Sequence, residues 1–303
     1  SQTMAGNLVA NNITLAPSPE EADVVIVNTC SFIEDAREES IEMILSACRL
    51  KQEGNCRAVL VAGCLPQRYR DKIHDAVPDV DALIGVDELD RVPEIVEALG
   101  KGRRDIVAIS ERARKLFEPL VPVVFTGGAH AYLKIAEGCN HQCSFCAIPG
   151  IRGQHRSRTL DQIVDEARSL LDQGFCELDI ISQDIMSYGR DLKDETSLPA
   201  LLRKLGEIDQ HFWLRLLYGY PSLVTDDLLD AMVSVPQVCH YLDIPIQHSH
   251  PEVLQGMRRG STIKHVAEMT SRIRAAMPDV ALRTTCLVGF PGETDAHFEH
   301  LLE

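Results

Sequence analysis

Three cysteines within eight residues, Cys139-Asn-His-Gln-Cys143-Ser-Phe-Cys146, constrain this chain more than any other feature. They follow the apolar, strand-like run Tyr132-Leu-Lys-Ile-Ala136, so the triplet sits on a loop at a strand end. Thiolates are the usual ligands of iron–sulfur clusters, and three of them leave one iron of a [4Fe–4S] cluster open. An open iron is a place for chemistry, whereas a closed four-cysteine cluster mainly carries electrons. The rival metal is zinc, which in structural sites takes four ligands in paired arrangements. No second pair follows, and His141 or His155 would have to be improvised as ligands. A disulfide would use only two of the three thiols and is disfavoured in a reducing compartment.

The rest of the chain is ordinary globular material: 303 residues, 45% hydrophobic and 25% charged, with room for two domains. No apolar run reaches the length of a membrane span. Ser1-Gln-Thr-Met-Ala-Gly lacks the layout of a signal peptide. A soluble, cytoplasmic protein with no membrane partner is expected. Ten cysteines in such a chain are metal ligands, catalytic groups or buried apolar residues rather than a disulfide framework. The formal net charge of −15 works against non-specific attraction to phosphate backbones and favours a basic protein partner.

In the first third, Asp23-Val-Val-Ile-Val-Asn28 and Arg57-Ala-Val-Leu-Val-Ala62 read as strands covered on both faces. They run into Thr29-Cys30 and Gly63-Cys64. Between them, Ile33, Ala36, Ile41, Ile44, Leu45 and Cys48 recur near helical spacing. Further helices are expected over Pro66 to Ala76 and Leu89 to Leu99, and a third strand over Asp81 to Val86. This alternation predicts a parallel sheet whose ligands gather at the strand carboxyl ends, where Cys30 and Cys64 fall. Position alone does not separate a ligand from a buried, inert thiol. Cys48 and Cys56, one inside the helix and one before a strand, read as packing residues. Glu111 to Ala129, with Pro119, Pro122, Gly127 and Gly128, reads as a linker.

From Tyr132 onward the strand–helix alternation repeats. Strands are expected at Tyr132 to Ala136, Glu177 to Ser182, Trp213 to Leu217, His240 to Ile244 and Ala281 to Val288. Helices are expected at Thr159 to Gln173, Thr225 to Val233 and Ile263 to Ala276. That is most of a (β/α) barrel, which places chemistry at the carboxyl ends of its strands. Those ends carry the cysteine loop, Ser182-Gln183-Asp184, Tyr218-Gly-Tyr220-Pro221, Gln247-His248 and Gly289-Phe-Pro-Gly292-Glu293. Arg152, Arg156 and Arg158 read by default as solvated charges, with a carboxylate-binding fork as the sharper alternative. Cys176, Cys239 and Cys286 have no ligand-like spacing and read as packing residues.

The triplet, with Phe145 before its last cysteine, resembles the cluster motif of radical S-adenosylmethionine (SAM) enzymes. The resemblance implies that Cys139, Cys143 and Cys146 hold a [4Fe–4S] cluster whose open iron binds SAM, and that Phe145 lies near the adenine. It implies SAM contacts from Ser182, Gln183, Asp184, Gln247 and Gly289. Val27-Asn-Thr-Cys30 and Ala62-Gly-Cys64-Leu-Pro resemble the second and third cysteine motifs of the methylthiotransferase N-terminal domain. On that likeness Cys30 and Cys64 are ligands of a second [4Fe–4S] cluster linked to sulfur delivery, and the first ligand of that set is missing.

The expected organisation is therefore α/β: a small N-terminal parallel domain over 1–115, a linker over 116–130, and a partial radical SAM barrel over 131–303. The family's C-terminal TRAM domain has no counterpart here. Among methylthiotransferases, Ile181-Ser-Gln-Asp184, the run Trp213 to Pro221, Tyr241 to His248 and Met257-Arg-Arg-Gly260 resemble the group that modifies an aspartate of a small-subunit ribosomal protein. The implied partners are that protein, free or on the ribosome, an electron donor protein and a sulfur source. The implied product is β-methylthioaspartate. The nearer alternative is the group that modifies adenosine in transfer RNA, and the remoter one is a non-catalytic iron–sulfur redox protein.

Overall fold

The structure, a computed structural model, describes residues 1–111, 113, 115, 116, 128–260 and 263–303. Most of the expected linker lies outside them. The chain forms two compact units, Ser1–Phe125 with Ala147–Gln154, and Thr126–Cys146 with His155–Glu303.

The first unit is built on a four-stranded parallel sheet of β1 (Val24–Thr29), β2 (Ala58–Gly63), β3 (Ala82–Ile84) and β4 (Ile106–Ala108), in that spatial order. Its helices are α1 (Gln2–Ala10), α2 (Glu34–Glu53), α3 (Cys64–Tyr69), α4 (Asp71–Ala76), α5 (Val92–Gly100) and α6 (Ile148–Arg152). Strand side chains alternate between faces, so both faces of β2 must be covered for its continuous apolar run to be stable. Ala58, Leu60 and Ala62 pack with Met4, Leu8, Val92, Ile95 and Leu99 on one face. Val59 and Val61 pack with Ile44, Ala47, Leu65 and Ile73 on the other. Cys48 and Cys56 lie buried in that second cluster. The helix expected over Pro66 to Ala76 is two, because Arg70 turns to φ +36 between α3 and α4.

The second unit has a five-stranded parallel sheet in the spatial order β11-β10-β9-β8-β5, with β5 (His130–Lys134), β8 (Glu177–Ile181), β9 (Trp213–Leu216), β10 (Val238–Asp243) and β11 (Ala281–Arg283). Successive strands are neighbours, as in a (β/α) barrel. The helices are α7 (Leu160–Asp172), α8 (Leu198–Gly206), α9 (Asp226–Ser234), α10 (Pro251–Gly256), α11 (Ile263–Ala276) and α12 (Asp295–Leu302). α7 starts at a capping box in which the Thr159 side chain and Gln162 serve each other's backbone. A short antiparallel ribbon, β6 (Ala136–Glu137) with β7 (Arg156–Ser157), closes the base of the cysteine loop.

The last strand is shorter than the expected Ala281 to Val288. After Arg283 the Thr284 hydroxyl donates to the Ile244 carbonyl (2.9 Å) and accepts from the Ile246 amide (3.1 Å). Pairing resumes only at the isolated bridge Gln247–Cys286, where Gln247 has φ +72. Among the described residues no helix is long and apolar enough to cross a membrane.

Candidate metal centre

All ten cysteines are thiols. Cys139, Cys143 and Cys146 lie half-buried on the loop that leaves β6, beyond the carboxyl end of β5. Burial pushes the Cys139 thiol up to about 11, with the charges of Asp184, Cys146 and Cys143 adding to the rise. A metal must displace that proton to use the sulfur.

The loop is held by hydrogen bonds from several strand ends. The Gly138 amide donates to Gln183 Oε1 (2.7 Å), and the His155 amide donates to Asn140 Oδ1 (3.0 Å). The Ser144 amide donates to the Met257 carbonyl (3.1 Å) and its hydroxyl to the Gly256 carbonyl (2.8 Å) at the end of α10. His141 Nε2 meets Asp184 Oδ2 at 2.8 Å, and its ring lies flat on Tyr220. On Tyr220 also sits the Arg259 guanidinium, 4.2 Å from the ring centroid. Arg259 donates to the Pro245 carbonyl (2.7 Å) and towards Cys143 Sγ (3.6 Å).

Ser182, Gln183 and Asp184 therefore brace the loop. Asp184 is 2% exposed and takes hydrogen bonds from the Met186 amide (3.0 Å) and the Ser187 hydroxyl (2.5 Å) as well as His141. The Ser182 hydroxyl accepts from the Asp184 amide. Burial alone would raise the Asp184 carboxyl, but the bonds from His141 and Ser187 outweigh it and hold the group below the usual carboxylate range. His141 is thus engaged rather than offered as a zinc ligand, and His155, 5% exposed, faces Ser157 Oγ at 3.2 Å. The donor set left at the loop is three sulfurs, which suits an iron–sulfur cluster.

Other expected residues spread along the rim. Phe145 is half-buried in the loop. Gln247 pairs with Thr285 and Leu287 through its backbone. His248 is fully inside, its Nδ1 accepting from the His250 amide (2.9 Å) and its Nε2 facing Glu293 (3.3 Å). Gly289 has φ +74 with open space where a Cβ would stand. The basic stretch departs from the solvated reading. Arg158 is 3% exposed and pairs with Glu166 (2.5 Å) and the Lys134 carbonyl (2.7 Å), tying β5 to α7. Cys176 and Cys286 are exposed, and so are not packing residues here.

In the first unit, Thr29 and Gly63 are the last register pair of β1 and β2, so Cys30 and Cys64 leave adjacent strands together. The Thr29 hydroxyl donates to the Ala62 carbonyl (2.7 Å), and the Ser31 hydroxyl donates to the Cys64 carbonyl (3.1 Å). Gly63 has φ +103, and a Cβ there would stand 2.9 Å from Asn28 Oδ1 and the Thr29 carbonyl oxygen. Cys64 is buried with Val86, Ala113 and Ile151, and Arg152 Nη2 donates to its sulfur at 3.2 Å. Cys30 is exposed. A groove of about 1030 Å³ elsewhere in this unit is lined by α1, β1 and apolar side chains such as Leu8, Ile13 and Val96, and holds none of the thiols.

His250, Glu252 and His297 form another group with metal-ligating atoms, within 4.8 Å of one another. The two imidazole rings lie 4.1 Å apart, centroid to centroid, tilted by 31°. Each Nδ1 accepts a backbone N–H, from Glu252 and from Thr294, both at 3.3 Å. These histidines cap α10 and α12 through Nδ1, and His297 Nε2 faces Glu252 at 3.5 Å.

Residues 133–303 match the family described as the radical SAM superfamily, and residues 1–85 match the uncharacterized protein family UPF0004. The chain is 43% identical over 302 residues to the ribosomal protein uS12 methylthiotransferase RimO of Geobacter sulfurreducens, covering all of this chain and 68% of that protein. It is 44% identical over 304 residues to the protein of the same name from Pelotomaculum thermopropionicum, again covering 68% of it. In fold it is similar to the radical SAM methyltransferase TsrM of Kitasatospora setae, solved with cobalamin and a [4Fe-4S] cluster bound. There the TM-score is 0.69 at 15% identity, over 92% of this chain and 59% of that one. It is also similar to the cobalamin-dependent SAM radical enzyme OxsB, with a TM-score of 0.62 at 11% identity, over 100% of this chain and 45% of that one.

Proposed function

The chain belongs to the ribosomal protein uS12 methylthiotransferases of the radical SAM superfamily, and we propose that it adds a methylthio group to the β-carbon of an aspartate in that ribosomal protein. Enzymes of this class use SAM and two [4Fe–4S] clusters. Cys139, Cys143 and Cys146 would hold the cluster that binds SAM, and Cys30 and Cys64 would supply two ligands of the second. When bound and reduced, the first cluster and SAM supply a carbon radical able to take hydrogen from an unactivated C–H bond, chemistry that side chains lack.

The chain's own residues position and shield. Gln183, Ser144 and Asn140 pin the loop backbone, while Asp184 holds His141 against Tyr220. Phe145, Gln247 and Gly289 would line the SAM side of the rim. The −15 net charge favours a basic polypeptide over RNA as the substrate. A ribosomal substrate supports a cytoplasmic enzyme, and the reaction would call for an electron donor protein and a sulfur source as further partners.

The observation that carries this reading is the set of three half-buried thiols on one braced loop, in a chain alike over its whole length to the uS12 enzymes. The test offers anaerobically reconstituted full-length protein a uS12 peptide and a modified-adenosine anticodon stem-loop together, with SAM and reductant. Mass spectrometry should find the methylthio group on the peptide alone. Its appearance on the RNA alone would move the chain to the transfer-RNA group.

A further inference from the structure

Tyr220 is the centre of a layered stack. His141, inside the cysteine loop, lies on one ring contact at 3.7 Å and 7° between planes. The Arg259 guanidinium lies 4.2 Å from the same ring centroid. The stack gathers residues from the loop, from the end of β9 and from the turn after α10. Its two ends are tied. Asp184 holds His141 at 2.8 Å, and the Pro245 carbonyl holds Arg259 Nη2 at 2.7 Å. The other terminal nitrogen of Arg259 points at Cys143 Sγ, 3.6 Å away.

We propose that Arg259 is a positioning and tuning residue for the cluster site, and that Tyr220 is the plate that aims its charge at Cys143. The proposal rests on the reading that Cys143 is a cluster ligand. A half-buried cation beside a cluster sulfur stabilises the more negative, reduced state more than the oxidised one, because the reduced cluster carries one more electron. Net charge and hydrogen bonds to sulfur are among the main settings of cluster potential. The partly desolvated surroundings strengthen the effect relative to open water. An arginine held over an aromatic face keeps a fixed direction that a solvated side chain would not. Arg259 thus makes the cluster easier to reduce, and Tyr220 makes that help reliable.

The experiment uses full-length protein in a Cys30→Ala, Cys64→Ala background, so that one cluster signal remains, and reads its midpoint potential by EPR-monitored redox titration. Iron and sulfide content are measured alongside. Arg259→Met should lower the reduced-to-oxidised ratio at a fixed potential by about tenfold, which for one electron is about 59 mV. Arg259→Lys, which keeps the charge, should stay close to the parent. Tyr220→Leu should move the potential in the same direction as Arg259→Met by a smaller factor. An unchanged potential in Arg259→Met with the cluster intact overturns the proposal. So does an equal fall in Arg259→Lys, and an unchanged Tyr220→Leu removes the role given to the plate. If Arg259→Met cannot retain a cluster, Arg259→Lys decides: it must restore both retention and potential, or the charge is not what matters. Cys143→Ala is the separate control for the underlying reading, since a persisting, unaltered cluster signal there would show that Cys143 is no ligand.

Discussion

His141 Nε2 and Asp184 Oδ2 meet at 2.8 Å, joining the middle of the cysteine loop to the carboxyl end of β8. The hydrogen bonds Asp184 receives make it a pH-dependent element of the fold. Its folded-state carboxyl is held below the ordinary value, so its contribution is fully present above the unfolded value of about 3.9 and is lost as pH falls through the folded one. Asp184→Asn should lower stability near neutral pH by about 1–3 kcal/mol. It should also flatten the acid limb of a plot of Tm against pH, where the parent protein falls. Parallel slopes in the two proteins would contradict the assignment.

The two sets of thiols should separate by chemistry. In reconstituted full-length protein, Cys30→Ala or Cys64→Ala should remove roughly half of the iron and sulfide, one of two four-iron clusters, while SAM cleavage to 5'-deoxyadenosine persists. Cys139→Ala should also halve the iron and abolish deoxyadenosine. Elemental analysis and chromatography of the nucleoside read both outcomes.

Gly63 is where β2 turns into α3 and presents Cys64. With φ +103 and the Asn28 and Thr29 oxygens 2.9 Å from an added Cβ, Gly63→Ala should cost about 1–3 kcal/mol. Denaturant unfolding should show a lower midpoint, whereas an unchanged midpoint would mean the turn relaxes without strain.

Arg158 and Glu166 form a buried ion pair between the β7 end and α7. Glu166→Leu leaves the guanidinium buried without its carboxylate and should cost about 3–5 kcal/mol. The double variant Arg158→Met, Glu166→Leu should recover much of that loss. A double-mutant cycle on urea unfolding would detect the coupling.

Much of the strand order was legible because it is carried by local pattern. The runs ending at Thr29 and Gly63 are continuous and apolar because the sheet is covered on both faces, so two cysteines could be placed at strand ends from sequence alone. Short pieces were not legible. β4 has three residues and β6 and β7 two each, too few for a period to emerge. The direction of polar side chains was also hidden. Ser182, Gln183 and Asp184 look like groups for a charged ligand, yet Asp184 and Gln183 turn towards the loop they support. The Arg259–Tyr220 stack joins positions 39 residues apart, and no spacing rule reaches that far. Arg158 gave no sign that it would be buried, since its carboxylate partner comes from the next helix.

The eight residues Ala147–Gln154 belong to the first unit although Cys146 and His155 belong to the second. The boundary between the units is therefore not a single cut in the chain. A fragment begun at Gly128 would carry α6 without the side chains that bury Ile151, now 2% exposed, and Arg152 would lose the sulfur of Cys64. The cysteine loop would then run from Cys146 into an unpacked stretch. The stretch that leaves the cysteine loop thus packs as part of the first unit, so gene fragments cut at a single point between the domains will divide what the fold keeps together.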